Sequence, residues 1–475
     1  MRTFTRRSSI PVSTEELFAW HARPGAFERL APPWQNVELV RHDGIRDGDR
    51  AILDLGAGPV SIRWDIEHRD YIEGEQFRDV QLSGPFARWE HTHRMLPHDV
   101  DLRQSVLEDH VEYELPLSRV SHPLAGSFAE NELVRLFAYR HRVTREDLAR
   151  HKESGLPPIK VAITGSSGLI GRALAGFLLT GGHTVVRLVR SRSEVVRLAR
   201  SDQEQAAYWN PDQGIIDPAA LHGVDAVVHL AGASVIGGRW TRSRKARIMD
   251  SRIRSTRLLV DAMTAMDRPP AVLISASASG YYGDRGNENL TEGAPAGTGF
   301  LAEVCQAWEE AAQPVTNAGV RLCLARIGVV LSPQGGALKI MRPATLAGLG
   351  GTIGRGREWL PWIALDDVLY AFLHMIARED LAGPFNLSSP QPATQRDLAE
   401  ALGDILGRPS VIRVPPALLR LTAGRLASVD ALGSTRMLPT RLANSPFRFA
   451  YPRLEDALSH VLGHPISIPH EPISA

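Results

Sequence analysis

A strand-like run, Ile159-Lys-Val-Ala-Ile-Thr164, leads directly into Gly165-Ser166-Ser167-Gly168-Leu169-Ile170-Gly171 and then an apolar helical stretch through Leu179. Three glycines at that spacing suit a phosphate cradle. Gly165 permits a tight turn, Gly168 lets main chain approach a pyrophosphate, and Gly171 lets helix and strand pack closely. The helix N-terminus adds unpaired N–H groups and the positive end of its dipole. These residues are read as a dinucleotide site; a merely tight strand–helix turn is the alternative. The next strand, Thr184–Val189, ends at Arg190-Ser191-Arg192. An NAD-type site places Asp or Glu there, about 20 residues past the glycines, to hold both ribose hydroxyls. Arginine instead accommodates a 2′-phosphate, so Arg190 and Arg192 point to NADP(H); the plainer reading is one solvated arginine among many. A third strand, 224–230, opens into Leu230-Ala231-Gly232-Ala233, small enough for an adenosine to lie against main chain.

The elements that position this turn follow from patterning. From Ile159 onward, strands near 159–164, 184–189, 224–230, 271–276 and 321–330 alternate with helices near 168–180, 243–266 and 300–317. That alternation marks a doubly wound, Rossmann-like α/β parallel sheet. A smaller C-terminal α/β substrate region follows, with helices near 394–406 and 453–462. Residues 1–150 differ. Ser13-Thr14-Glu15-Glu16 is a capping-box pattern. Apolar and polar residues then alternate around Ile62, Trp64 and Ile66, around Trp89, His91, His93 and Met95, and around Val111, Tyr113 and Leu115. Such alternation predicts antiparallel sheet with one wet face. A long helix, about 128–152, carries Leu133, Leu136 and Phe137 on one stripe. The expected domains are 1–152, a linker at 153–158, a nucleotide domain at 159–411 and an extension at 412–475 that completes the substrate region.

Bulk properties exclude other classes. The 475 residues are 43% hydrophobic and 23% charged, so wholesale disorder is excluded. A net charge of +1 argues against a dedicated nucleic-acid or membrane-surface binder. No apolar run approaches the ~20 residues a membrane helix needs, and the charged N-terminus has no signal-peptide core. Cys305 and Cys323 are the only cysteines, too few for a disulfide framework. A cytoplasmic setting is expected.

Taken together, the glycine turn, His229-Leu-Ala-Gly-Ala233 and Ser275-Ala-Ser-Ala-Ser-Gly-Tyr-Tyr-Gly283 resemble the extended short-chain dehydrogenase/reductase family, in its sugar-nucleotide epimerase-like branch. Arg326-Ile-Gly-Val-Val-Leu331, Leu360-Pro-Trp-Ile-Ala-Leu-Asp-Asp367 and Gly383-Pro-Phe-Asn-Leu387 extend the match over about 159–460. The Gly-Tyr-Tyr-Gly-Asp and Leu-Pro-Trp-Ile motifs resemble an atypical subgroup, the epimerase family proteins. Element order in residues 1–150 resembles the START/polyketide-cyclase-like helix-grip domain. The resemblance implies NADP binding and a substrate cleft in the C-terminal half.

The chain departs from the family's chemistry. That chemistry uses a Tyr four residues before a Lys on one helix, for proton exchange during hydride transfer. The four lysines, Lys152, Lys160, Lys245 and Lys339, are preceded at that distance by Leu148, Leu156, Thr241 and Gly335. The pair is absent; Phe300 or Leu301 falls near the Tyr position and Val304 or Cys305 near the Lys position. Candidate substitutes are Ser277, where the family serine polarises the substrate oxygen; Tyr281 and Tyr282, on the loop over the cofactor; and Glu303, on the helix that should carry the pair. Each has a plainer role: strand-end cap, packing, or solvated helix charge. Trp359 and Trp362 are expected to line the substrate cleft or fill core, and Arg326 and Arg355 to bind an anionic substrate. Cys305 has no evident His partner for nucleophilic chemistry.

In the N-terminal region, His91 and His93 share a strand face. No third ligand is evident in the sequence, so no metal is expected and both are read as cavity lining. Trp64, Trp89, Met95 and Tyr113 are candidates to enclose an apolar cavity for a hydrophobic ligand, or to form a filled core. The leading reading is an NADP(H)-dependent oxidoreductase or epimerase-like enzyme on a small, hydrophobic substrate. The alternatives are a non-catalytic NADP(H)-binding sensor or scaffold, and a lipid-transfer protein.

Overall fold

The structure, a computed structural model, describes residues 1–57, 60–101, 103–116, 123–199, 201–235, 240–410, 412–414 and 433–466. The chain divides into two compact units. Met1–Gly155 forms the first, with Leu179–Gly182 and the chain from His460; Leu156–Leu178 and His183–Ser459 form the second. Part of the expected C-terminal extension, at 415–432 and 467–475, lies outside the described residues.

In the first unit the period-2 segments form one antiparallel sheet. Its strands are β1 (Arg2–Ile10), β2 (Val37–His42), β3 (Arg50–Ala57), β4 (Val60–Ile72), β5 (Gln76–Ser83), β6 (Arg88–Pro97) and β7 (Ser105–Glu114), in the order β1-β7-β6-β5-β4-β3-β2. Helices α1 (Thr14–Ala22) and α2 (Ala26–Leu30) follow β1, and α3 (Pro123–Ser154) follows β7. Ser13 caps α1, its hydroxyl accepting the Glu16 amide at 3.4 Å. Leu133 and Phe137 of α3 pack with Trp89, Val111 and Tyr113 of β6 and β7. Each such side chain contributes about 1.5–3 kcal/mol of burial. The structure shows this unit as mostly antiparallel sheet, with helices α1, α2 and α3; the expected helix-grip domain is not shown by it.

The second unit is a Rossmann-like α/β sheet of eight strands. These are β8 (Lys160–Thr164), β9 (Thr184–Val189), β10 (Glu204–Asn210), β11 (Ile215–Ile216), β12 (Ala226–His229), β13 (Val272–Ala278), β15 (Arg321–Ile327) and β20 (Gly383–Leu387). Their order is β11-β10-β9-β8-β12-β13-β15-β20, parallel except for edge strand β11. Chain order reverses between β8 and β12, the crevice where such sheets bind ligands. Val161, Ala162 and Ile163 are buried without alternation, as a strand covered on both faces requires. Among the described residues there are four further two-stranded ladders: β14 (Asn289–Leu290) with β23 (Arg436–Met437), β16 (Val329–Leu331) with β19 (Trp362–Ala364), β17 (Gly351–Ile353) with β22 (Ile412–Val414), and β18 (Trp359–Leu360) with β21 (Ala393–Thr394). The helices are α4 (Leu169–Thr180), α5 (Arg192–Leu198), α6 (Arg242–Thr264), α7 (Phe300–Ala312), α8 (Gly336–Leu346), α9 (Leu365–Ala377), α10 (Gln395–Leu406), α11 (Thr440–Ala443) and α12 (Leu454–Leu462).

Two expected elements are divided. The helix at 300–317 stops at Ala312 and tightens into a 3-10 turn at Gln313–Ala318, because Pro314 lacks the N–H that α-helical bonding needs. The strand at 321–330 breaks at Gly328, where any side chain would collide with the Pro361 carbonyl oxygen. Strand β10 has little apolar alternation to announce it. Its first residue, Glu204, is buried because Arg187 of β9 donates to it at 2.8 Å.

Candidate functional site

The nucleotide turn has the geometry its glycines imply. Gly165 has φ +66°, and a Cβ there would stand 2.8 Å from the Leu230 carbonyl. A Cβ on Gly171 would stand 2.8 Å from Ser166 Cα, so only glycine lets α4 start so close to the turn. Gly168 donates to the Gly165 carbonyl at 3.0 Å, closing the loop. Ser167 and Gly168 are exposed, Leu169 and Ile170 half-buried. The Ser166 hydroxyl is buried and has no hydrogen-bond partner among the described residues, as a group waiting for a phosphate oxygen would be. Arg190 and Arg192 are exposed at the carboxyl end of β9, and Arg192 lies 4.7 Å above the Tyr208 ring. These residues fit a dinucleotide with an additional phosphate.

The opposite wall is held by a buried polar chain. Thr164 Oγ1 accepts the Leu230 and Ala231 amides at 3.1 and 3.2 Å, so its proton goes to His229 Nδ1 at 2.7 Å. His229 then donates from Nε2 to Thr256 Oγ1 at 3.0 Å, and Thr256 donates to the Arg252 carbonyl. Burial, with Arg252 nearby, pushes the His229 pKa down to about 3, so its imidazole is neutral. Arg252 reaches the Ala233 carbonyl at 3.0 Å and stacks on Trp308. Leu230, Ala231 and Ala233 are half-buried and Gly232 is exposed on this wall.

A second cluster lies at the end of β13. Ser277 donates to Glu309 Oε1 at 2.7 Å. Arg326 grips both oxygens of Glu309 at 2.9 Å. Its remaining amine donates to Tyr282 Oη at 2.9 Å, and Tyr282 donates to Asn386 Oδ1 at 2.7 Å. Burial disfavours the Arg326 charge, but the Glu309 carboxylate overrides it and holds the guanidinium pKa above its ordinary value. Burial raises the Tyr282 pKa, with Arg326 opposing. Tyr281 is half-buried, with the Arg326 guanidinium 3.4 Å from its ring centroid. Its hydroxyl has no hydrogen bond among the described residues.

A cleft of about 480 Å³ is lined by Gly354, Arg355, Arg357, Glu358, Arg396 and Ser434. The Tyr281–Gly286 loop reaches its wall, because Asp284 Oδ1 accepts the Ser434 amide and Ser434 Oγ donates to the Gly286 carbonyl.

Comparison with known proteins bears on this geometry. Residues 161–388 match the family model described as NAD dependent epimerase/dehydratase family, and 414–461 match a domain of unknown function, DUF1731. The epimerase family protein MT2273 of Mycobacterium tuberculosis is 41% identical over 305 residues, 64% of this chain and 98% of that protein. The chain belongs to the epimerase family. Among solved structures, a nucleoside-diphosphate sugar epimerase from Corynebacterium glutamicum is 32% identical with a TM-score of 0.77. That match covers 97% of this chain and 90% of the other. Human epimerase family protein SDR39U1, solved with NADPH, is 27% identical with a TM-score of 0.58, over 64% of this chain and 99% of the human one.

Within this epimerase-family chain, Ser277, Tyr281, Tyr282 and Arg326 come together, and Glu303 does not join them. Glu303 is exposed on α7, whereas Glu309 of the same helix is buried against Ser277. Arg326 is thereby paired within the protein rather than presented to a substrate. Trp362 is core, 1% exposed, its indole donating to the Gln391 carbonyl at 3.2 Å. Trp359 is half-buried, donates to Asn287 at 2.9 Å and lies under Arg436. Cys305 is buried and its thiol is pushed up to about 11, which suits packing rather than nucleophilic attack. Near the missing pair, Val304 is buried and Phe300 carries the Lys245 ammonium 4.5 Å above its ring. Glu309 escaped the sequence reading. A signal existed: Cys305, Glu309 and Ala312 repeat at helical spacing on the buried stripe of α7, which places one charge inside. No helix among the described residues is long and apolar enough to cross a membrane.

Proposed function

We propose that the chain is an NADP(H)-dependent oxidoreductase or epimerase-like enzyme whose active site works without the Tyr/Lys helix pair. The observation that carries this is the turn at Gly165–Gly171, with a buried unpartnered serine hydroxyl and an arginine, not an acid, at the end of β9. The NADPH-bound human relative supports the same cofactor. Bound there, the cofactor supplies or accepts a hydride. Ser166 and the turn's main-chain amides hold its phosphates, Arg190 and Arg192 meet the 2′-phosphate, and Leu230–Ala233 flank the adenosine. Tyr281 is the proton donor: its hydroxyl is uncommitted, and its ring is held by Arg326, itself anchored by Glu309. Arg355, Arg357 and Arg396 favour an anionic small substrate in the cleft.

The N-terminal unit is a START-like helix-grip domain for a hydrophobic ligand on this reading. Its support is the packing of α3 on β6 and β7 and an inward-facing cavity partly lined by Trp64 and Trp89. Domain limits at 1–152, 159–411 and 412–475, and a cytoplasmic setting, belong to the same proposal.

Calorimetric titration with NADPH and NADH, on the full chain and on Arg190→Asp, tests the cofactor site. Tight NADPH binding weakened by the variant is expected; no binding of either nucleotide overturns it. A sensor without turnover is the second reading, favoured because Ser277 and Arg326 are both bonded to Glu309 and Tyr282 is bonded to Arg326 and Asn386. Transfer of deuteride from labelled NADPH to any carbonyl compound in a screen separates the two.

A further inference from the structure

We propose that the N-terminal unit binds a first-row transition dication, of the zinc or iron(II) class, through Asp79, His91 and His93. Sheet register brings these residues together. His91 stands directly opposite Asp79 on β5, and His93 directly opposite Asp109 on β7, so each carboxylate has one direct and one diagonal imidazole. His68 of β4 stands opposite Asp79 on the other side.

The two sides of this histidine pair differ in distance. Toward Asp109, His91 Nε2 lies at 2.9 Å and His93 Nδ1 at 2.7 Å. Toward Asp79 Oδ2, His91 Nδ1 lies at 3.6 Å and His93 Nε2 at 3.4 Å. The longer separations are those of ligand atoms around one ion with bonds of about 2.0–2.2 Å. The shorter ones place a carboxylate behind each ligating imidazole, the arrangement that fixes ring orientation in metal sites. His141 of α3 donates from Nε2 to the other oxygen of Asp109 at 2.7 Å and holds that carboxylate.

One polar atom at the cavity lacks a partner. His68 Nδ1 faces Asp79 Oδ1 at 2.9 Å and so helps orient that carboxylate, whereas His68 Nε2 is buried with no hydrogen bond among the described residues. His68 is 5% exposed and lines, with Asp79, His91 and His93, a cavity of about 100 Å³. The mixed nitrogen and oxygen donors favour a transition dication over magnesium or calcium, which take oxygen ligands. Three protein ligands leave coordination positions open to the cavity, where an oxygen of a bound ligand could coordinate.

The test uses the full chain, stripped with chelator and titrated with Co(II) by visible absorption and with Zn(II) by calorimetry. One equivalent of each is expected, with ligand-field bands that Zn(II) abolishes. Asp79→Asn and the double variant His91→Gln/His93→Gln should weaken binding by more than about 100-fold, since even an outer partner is worth roughly 10–100-fold. His42→Gln, which alters the same cavity away from these ligands, should bind as the parent does. Thermal melts and NADPH binding of each variant report its folding. X-ray absorption of the Zn-loaded parent needs no variant and should show at least two imidazoles and an oxygen ligand. Absence of stoichiometric binding, fewer than two imidazoles, or unchanged binding by the folded double variant overturns the proposal and leaves a proton-linked histidine–aspartate network.

Discussion

Ser277 at the end of β13 donates a hydrogen bond to Glu309 of α7 at 2.7 Å, and the same carboxylate pairs with Arg326. Strand β13, helix α7 and strand β15 are thus tied by one buried anion. Glu309→Gln leaves the guanidinium without its counter-charge. Removing one partner of a buried pair costs about 3–5 kcal/mol. The expected outcome is a markedly lower melting temperature, while Glu303→Gln on the exposed side of the helix leaves it unchanged.

The two adjacent tyrosines should separate cleanly. Tyr282→Phe leaves Asn386 Oδ1 and an Arg326 amine short of a partner, so stability should fall by about 1–3 kcal/mol. Tyr281→Phe removes a hydroxyl that bonds nothing among the described residues, so the melt should hold. If Tyr281 is the proton donor, turnover should fall by roughly 10²–10⁴-fold. Equal melts and equal turnover for Tyr281→Phe would remove it from the mechanism.

Gly171→Ala probes the nucleotide turn. Its Cβ would stand 2.8 Å from Ser166 Cα, so the turn must open. NADPH affinity should fall with little change in the folded signal of the N-terminal unit. Ser166→Ala introduces no such clash and removes the unpartnered hydroxyl; it should weaken NADPH binding modestly and leave the melt intact.

His229 sets a pH dependence. Its folded pKa of about 3 lies below the ordinary 6.5, so the unfolded chain binds the extra proton between those values. Stability from this group is present above pH 6.5 and is lost as pH falls toward 3, by about 1.4 kcal/mol per pH unit. Calorimetric melts of the transition that NADPH shifts should show this acid slope, and His229→Asn should lower the melting temperature at pH 7 and flatten the slope.

Cys305 should resist iodoacetamide at pH 8 in the folded chain and react once denatured. Its raised pKa, about 11, and burial keep the thiolate scarce. Rapid alkylation of the folded protein would contradict that placement.

Local pattern was enough to determine the parallel sheet and its nucleotide turn. Glycine spacing, the apolar run of β8 and the helix after it are contiguous, so their physics is readable within about 20 residues. The alternation of β6 likewise announced a buried face bearing His91 and His93. Strand β10, inside the edge strand β11, was harder to read because its buried first residue is a charged one, Glu204, held by an ion pair with Arg187 of another strand. Asp79 and Asp109 could not be assigned to the histidines from spacing, since they arrive from neighbouring strands whose register is set across the whole sheet. The same holds for Glu309, Ser277 and Arg326, which lie 32 and 17 residues from the glutamate. Buried charges are stable only in mutual contact, and contact between distant segments is a property of the folded sheet, so the tertiary structure alone decided which carboxylate each of these groups meets.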